Sequence, residues 1–390
     1  MNIEKIAKEE VRKINNELIE IRRDFHMNPD LSYEEKRTSK KIMEYLDKWD
    51  IKYETNFYNN AIIATIGNNK TNKKIGFRAD MDALPLVEKN NYEYKSKNEG
   101  VMHACGHDAH MTILLGLAKT LKNHEENLNG EVKLIFQPAE EASPTGGAQG
   151  ILDSGKIGDL DYIFGLHMWP FIKGGTFGIL SGPIMASSDH FYINIRGESS
   201  HAAKPHLGID SILIGSQVLQ EIQSIVSRNI DVLSPAVITV GKITGGTRYN
   251  ILANFCQLEG TVRTFNEDVR DYIEEKLGLI LKSKEIEHGC KCELIYKRGY
   301  PVVVNDKKAT DFIKSVAISS FEEEVVDDSC EISTIAEDFS YYLKRYKGSF
   351  IWFGVDGNHE PLHSDTFDID EENIWMGSYL FAKVAEKYLK

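Results

Sequence analysis

The run Met102-His103-Ala104-Cys105-Gly106-His107-Asp108-Ala109-His110 places His103, Cys105, His107 and His110 within nine positions, just after a loop and just before an apolar helix. A thiolate and an imidazole separated by one small glycine can both face one metal centre. The competing reading is a polar helix start with incidental histidines. A strand pattern over 132–137 then ends in Pro138-Ala139-Glu140-Glu141, which puts adjacent carboxylates at a strand's carboxyl end, where α/β enzymes keep their chemistry. Adjacent residues in irregular backbone point in different directions, so one carboxylate can bind a metal while the other reaches a water. A solvated acidic turn is the alternative. Histidines at two further expected strand ends, His167 and His363, add to the set, although a lone histidine is more often structural than a ligand. Ahead of all these, Arg78-Ala79-Asp80-Met81-Asp82 follows a strand pattern over 75–79. If the strand persists, Asp80 and Asp82 share a face, and either could hydrogen-bond a metal-bound histidine and fix its tautomer.

The elements that must position these residues are legible as patterns. Apolar strand candidates at 61–66, 75–79, 132–137 and 162–166, with an apolar helix around 111–121, give an α/β domain with a mixed, largely parallel sheet. Apolar residues Ile3, Ala7, Val11, Ile14, Leu18 and Ile21 make a helical stripe at the N-terminus. Near Gly182 the pattern changes. Strict alternation over 191–196, a helix capped by Asp210, strands at 236–243 and 256–264, a helix over 269–281 and a strand at 293–297 follow in β-α-β-β-α-β order. We therefore expect a discontinuous catalytic domain, residues 1–182 and 298–390, with a smaller α+β domain inserted at 183–297.

At 390 residues the chain exceeds the usual size of one hydrophobic core, which fits two domains. Its 46 basic and 59 acidic residues give a net charge of −13, which argues against nucleic acid or an anionic membrane as the main partner. Five scattered cysteines and the absence of a long apolar run predict a cytoplasmic protein with reduced thiols.

Taken in order, the blocks 78–85, 102–110, 136–141, 165–170, Gly182-Pro183, His201-Ala202-Ala203-Lys204-Pro205-His206, Ala336-Glu337-Asp338-Phe339 and Leu362-His363-Ser364 make a resemblance that covers nearly the whole chain. It resembles the amidohydrolase branch of the co-catalytic metallopeptidases, with hippurate hydrolases, N-acetyldiaminopimelate deacetylases and auxin-conjugate hydrolases. The resemblance implies metal ligands Cys105, His107, Glu141, His167 and His363, Glu140 as general base and Asp82 as a supporting carboxylate. It implies two divalent metal ions per subunit, with zinc, manganese, cobalt and nickel all compatible, and an inserted lid that also forms a homodimer. It assigns His201 to the oxyanion site, and Asn250 and Arg263 to the substrate's carboxylate. Two cations about 3.5–4 Å apart can share a water and polarise an amide carbonyl. The expected activity is hydrolysis of the amide bond of a small-molecule N-acyl amino acid. A dipeptidase or carboxypeptidase using the same site, and a catalytically silent binding protein, are the alternatives. One local departure is Gly197-Glu198-Ser199-Ser200, where relatives carry more glycine.

Overall fold

The computed structural model describes residues 6–68, 70–355 and 360–390. The chain divides into two compact units, one comprising Met1–Gly182, Val304–Glu331 and Asp338–Lys390, the other Pro183–Val303 and Ile332–Glu337.

The first unit is built on an eight-stranded sheet. Its order is Lys52–Glu54, Ile62–Gly67, Glu131–Gln137, Lys74–Asp80, Tyr162–Trp169, Gly348–Gly354, Phe177–Gly178 and Val326–Asp327. The four central strands, from Glu131–Gln137 to Gly348–Gly354, are mutually parallel. The pairings of Lys52–Glu54 and Ile62–Gly67 are antiparallel, which makes the sheet mixed. Parallel strands covered on both faces need apolar residues throughout, and Gly348–Gly354 and nearly all of Tyr162–Trp169 are buried. The helix His107–Asn123 is buried almost all round. It packs against the C-terminal helix Ile374–Tyr388 so closely that a Cβ on Gly116 would lie 2.3 Å from Ser378 Oγ. Only glycine permits that approach. Of the expected N-terminal stripe, Ile3 lies outside the described residues, and the rest is split into Lys8–Lys13 and Asn15–Met27, with Ile14 between them.

The carboxyl ends of the central strands carry the candidate chemistry, with two changes from expectation. Strand Lys74–Asp80 stops at Asp80, so Asp82 lies beyond it and does not share a strand face with Asp80. His363 is not at a strand end: strand Gly348–Gly354 finishes well before it, and His363 sits in a turn with φ +66°.

The second unit is an antiparallel sheet in the order Lys291–Arg298, Asp189–Arg196, Phe255–Thr264 and Ala236–Gly245. Phe191, Ile193 and Ile195 of its second strand point into a core shared with helices Ser211–Ser224 and Glu267–His288. Asp210 caps the first helix, accepting from the Ile212 and Leu213 amides at 3.0 and 3.2 Å. The expected return at residue 298 moves to Val304, because backbone after the last strand stays hydrogen-bonded within this unit. The Gly299 amide donates to Asp189 Oδ1 at 3.0 Å, the Ser188 amide to the Tyr300 carbonyl at 3.0 Å, and the Val302 amide to Glu267 Oε1 at 3.1 Å. Ser333 likewise exchanges backbone bonds with Ile184 and Ala186, which draws 332–337 into the same unit.

Asp189 is the polar anchor of that unit. Fully buried, it takes Arg270 Nη2 at 2.5 Å, Arg270 Nε at 2.9 Å and the Tyr296 hydroxyl at 2.9 Å. Replacing it with alanine strands a buried guanidinium. We expect Asp189→Ala to lose about 3–5 kcal/mol of stability by denaturant unfolding; a loss below about 1 kcal/mol would mean that Arg270 finds other acceptors.

Candidate metal centre

Gly106 makes the Cys105–His107 pairing possible. It adopts φ +83° ahead of helix His107–Asn123, and a Cβ there would lie 2.8 Å from Met168 Cβ, so both its conformation and its clearance require glycine. Cys105 Sγ then comes within 3.4 Å of His167 Nε2. Each histidine is oriented through its other nitrogen: His107 Nδ1 donates to the Asp82 carbonyl and His167 Nδ1 to the Met168 carbonyl, both at 2.8 Å. A carbonyl accepts only, so these contacts place a proton on each Nδ1 and leave Nε2 as the atom that could face a metal. His107 Nε2 is buried and has no hydrogen-bond partner. His110 differs, with both nitrogens occupied: Nδ1 bonds Asp80 Oδ1 at 2.6 Å and Nε2 accepts from the Met168 amide at 2.8 Å. It braces the centre and has no nitrogen left for a metal.

The acidic turn after strand Glu131–Gln137 is held by a neighbouring carboxylate. Asp82 Oδ1 accepts from the Glu140 amide at 3.0 Å, and Oδ2 from the Glu141 amide at 2.9 Å and the Ser32 hydroxyl at 2.6 Å. The Asp82 side chain therefore grips the turn, while its backbone carbonyl orients His107. Glu141 Oε1 is buried without a hydrogen bond and lies 3.3 Å from His363 Nε2. The His363 amide donates to the Ala104 carbonyl at 2.8 Å, which seats this distant residue beside Cys105.

Donor atoms of Cys105, His107 and His167 lie mutually within 4.8 Å, as do those of Cys105, Glu141 and His363, and those of His107, Glu140 and Glu141. Cys105 belongs to two of these groups, so two neighbouring cations could take its sulfur as a common donor. Soft sulfur, imidazole and carboxylate together suit zinc and the later first-row divalent ions.

The electrostatics fit the same assignment. Burial opposes a charge on His107, yet Asp80 and Asp82 outweigh it and raise its pKa to about 10. Burial, then Glu141 and Glu140, push the Cys105 thiol well above its ordinary value. Burial would raise Asp80, but His107 and Arg78 hold it well below the usual carboxylate range. Burial, with His110 next, drives His167 down to the neutral form that a metal requires. Protons on His107 and Cys105 are thus favoured in the metal-free protein, and a divalent cation held by these residues would displace them.

Residues 76–387 match peptidase family M20/M25/M40. The chain belongs to this family. It is 38% identical over 387 residues to N-acetyl-L-cysteine deacetylase of Bacillus subtilis, covering 98% of this chain and 92% of the relative. It is also 38% identical over 394 residues to thermostable carboxypeptidase 2 of Saccharolobus solfataricus, covering 100% and 99%. Among solved structures, a dinuclear metal binding peptidase of the M20 family from Bacillus subtilis superposes with a TM-score of 0.86 at 33% identity, over 97% of this chain and 99% of that one.

In this M20-family chain, Asp82, Cys105, His107, Glu140, Glu141, His167 and His363 belong to the first unit, and His201, Asn250 and Arg263 to the second. His201 pairs with Ile251 across an isolated bridge, and the Ala202 amide donates to the Asn250 carbonyl at 3.2 Å, so His201 and Asn250 occupy facing segments. Asn250 Oδ1 is buried and unpartnered, and the His201 residue is exposed. Arg263, on strand Phe255–Thr264, donates from Nη1 to Thr261 Oγ1 at 2.5 Å and to the Val262 carbonyl at 3.0 Å. It lines a cavity of about 320 Å³ with apolar walls at Val226, Ile230, Val237 and Phe265. Sequence reasoning passed over Ser32 and Glu35, because Leu31-Ser32-Tyr33-Glu34-Glu35 carries no ligand spacing.

Removing the Asp82 carboxylate leaves the Glu140 and Glu141 amides without acceptors. Asp82→Ala should weaken divalent metal binding about 10- to 100-fold, the range for loss of a group that orients ligands, when titrated against a chromophoric chelator. Unchanged affinity would show that the turn holds itself.

Proposed function

We propose that this protein hydrolyses the amide bond of N-acyl amino acids at a two-metal site, with Cys105, His107, Glu141, His167 and His363 as ligands. The observation that carries this is the pair of donor groups sharing Cys105 beside the adjacent Glu140. The named activity of the Bacillus subtilis deacetylase, matched over 98% of this chain, supports the substrate class. Divalent cations bound there supply Lewis-acid polarisation of the scissile carbonyl and a water acidic enough to lose its proton near neutral pH. Glu140 takes that proton and passes it to the departing amine. Asp82 keeps Glu140 and Glu141 in fixed directions through their amides. Arg263 and Asn250 hold the substrate carboxylate, for which a guanidinium's parallel donors are suited. Peptide-bond cleavage as a carboxypeptidase is the second reading, favoured by the Saccharolobus relative at 38% identity over the full chain.

We further place the protein in a reducing compartment, the cytoplasm, consistent with free cysteines at 105, 256, 290, 292 and 330. Among the described residues no helix is long and apolar enough to cross a membrane. Residues 183–297 would act as lid and homodimer contact, with strand Ala236–Gly245 at an open sheet edge.

A panel of N-acetyl amino acids, N-benzoyl amino acids and dipeptides, assayed with added zinc, manganese, cobalt or nickel, tests the assignment. Turnover of dipeptides alone would replace the first reading with the second, and no turnover of any member would refute both. Glu140→Gln should retain its metal and lose about 100- to 10,000-fold in kcat; loss of metal instead would make Glu140 a ligand. We also expect His201 to serve the active site of the other subunit. If so, equal amounts of His201→Ala and Glu140→Ala, each nearly inactive, should recover about a quarter of wild-type activity after random subunit exchange. No recovery after verified exchange would place His201 in its own subunit's site.

A further inference from the structure

Glu35 is a fully buried carboxylate that the proposed reaction does not use. It comes from the loop ahead of helix Lys36–Lys48 and reaches the acidic turn. Glu35 Oε1 accepts from the Ala139 amide at 2.8 Å and from the Tyr33 amide at 2.8 Å, and Oε2 from Asn60 Nδ2 at 2.9 Å. With Asp82, two buried carboxylates therefore take three successive amide protons, those of Ala139, Glu140 and Glu141. The first of these matters most for direction. Ala139 is buried at φ +59°, a left-handed conformation that costs a residue bearing a Cβ about 1–2 kcal/mol. Its φ and ψ set where Glu140 and Glu141 point, since they follow it directly. The same loop supports the turn twice more: Ser32 Oγ donates to Asp82 Oδ2 at 2.6 Å, and the Tyr33 hydroxyl to the Gly146 carbonyl at 3.2 Å.

We infer that Glu35 is a positioning residue: by accepting the Ala139 amide it holds that residue left-handed and so aims Glu140 and Glu141 into the metal centre. This rests on the reading of Glu140 as base and Glu141 as ligand. Glu35 touches neither substrate nor metal and acts through the turn. Its hydrogen bond, not its charge, is the working element, because glutamine offers the same carbonyl oxygen to Ala139 and Tyr33, and Asn60 can turn its amide to face the new NH2 group.

The test compares Glu35→Ala, Glu35→Gln, Ala139→Gly and Glu35→Ala/Ala139→Gly. In Glu35→Ala, zinc affinity of the metal-stripped protein, read by chelator competition, should fall about 10- to 100-fold. In the same variant kcat should fall about 100-fold, as for an ångström-scale misplacement, with KM little changed. Glu35→Gln should restore both quantities to within about threefold of wild type. Adding Ala139→Gly to Glu35→Ala should recover part of both losses, because glycine adopts the left-handed conformation without a Cβ penalty. A role confined to packing Tyr33 and Asn60 would not be rescued at position 139. Equal losses in Glu35→Gln and Glu35→Ala, or wild-type affinity and kcat in Glu35→Ala, would overturn the inference.

Amide hydrogen exchange on the unmutated, metal-stripped protein tests the same bond without any variant, so a Glu35→Ala that fails to fold does not rescue the idea. The Ala139, Glu140 and Glu141 amides should be protected, and exchange of Ala139 at open-loop rates would overturn the proposal. Glu140→Gln assayed in parallel separates the two claims. Full kcat in that variant sinks the reading of Glu140, whereas an inactive Glu140→Gln beside an unaffected Glu35→Ala sinks only the role of Glu35.

Discussion

The carboxyl edge of the large sheet is governed by how buried negative charge is balanced. An uncompensated carboxylate in such a place costs several kcal/mol, and this edge gathers Asp80, Asp82, Asp338 and Glu140, all buried, with Glu141 beside them. Arg78 meets part of the demand from one strand: Nη1 reaches Asp80 Oδ2 at 2.6 Å, Nη2 reaches Asp338 Oδ1 at 2.7 Å, and Nε donates to Gln137 Oε1 at 3.0 Å. Gln137 passes its own amide protons to Asp338 at 2.8 Å, which ties the end of the neighbouring strand into the same set. Asp82 is balanced differently, by two backbone amides and a hydroxyl. Among the groups left without a hydrogen-bond partner are Glu141 Oε1, His107 Nε2 and both ring nitrogens of His103, with the Cys105 thiol beside His167. Asp80, Asp82 and Asp338 are thus satisfied within the protein, and the donor atoms of Cys105, His107, His167, Glu141 and His363 fall into two groups that share Cys105, an arrangement that could hold cations.

The division explains what could be read in advance. The Cys105-Gly106-His107 run was legible because its geometry is local and glycine is visible in the sequence. The adjacent Glu140 and Glu141 were legible as a pair, but nothing in their neighbourhood revealed that Asp82 would hold their amides or that Glu35 would hold Ala139. Those partners are joined by tertiary contact across long stretches of chain, and a carboxylate accepting backbone protons has no sequence signature. His363 was found as a residue and misplaced as an element, since its position depends on the Ala104 carbonyl and not on a strand. The parallel strands announced themselves as apolar runs because both their faces are covered.

In the second unit, the alternation over 191–196 falls within strand Asp189–Arg196: Phe191, Ile193 and Ile195 face helices and Arg196 is exposed, but Asn194 on the other face is buried. The boundary after it was less legible. Apolar patterning ended with strand Lys291–Arg298, yet Gly299, Tyr300 and Val302 continue to bond within the unit through backbone atoms, which hydropathy does not register. The N-terminal stripe shows the converse error: its period runs straight through Ile14, where the backbone breaks between two helices.

The bond between the His363 amide and the Ala104 carbonyl also constrains how the protein is made. Cys105, His107, Glu141 and His167 are synthesised before the second unit, and His363 only after it. While the ribosome is still translating the insert, the emerging chain can offer only part of the proposed donor set, without His363. Domains ordinarily fold as units from the N-terminus during synthesis, yet the first unit cannot finish until its last strands and C-terminal helix are released. A centre that includes His363 could be completed only on a nearly finished polypeptide, although the Cys105, His107 and His167 donors are all present earlier.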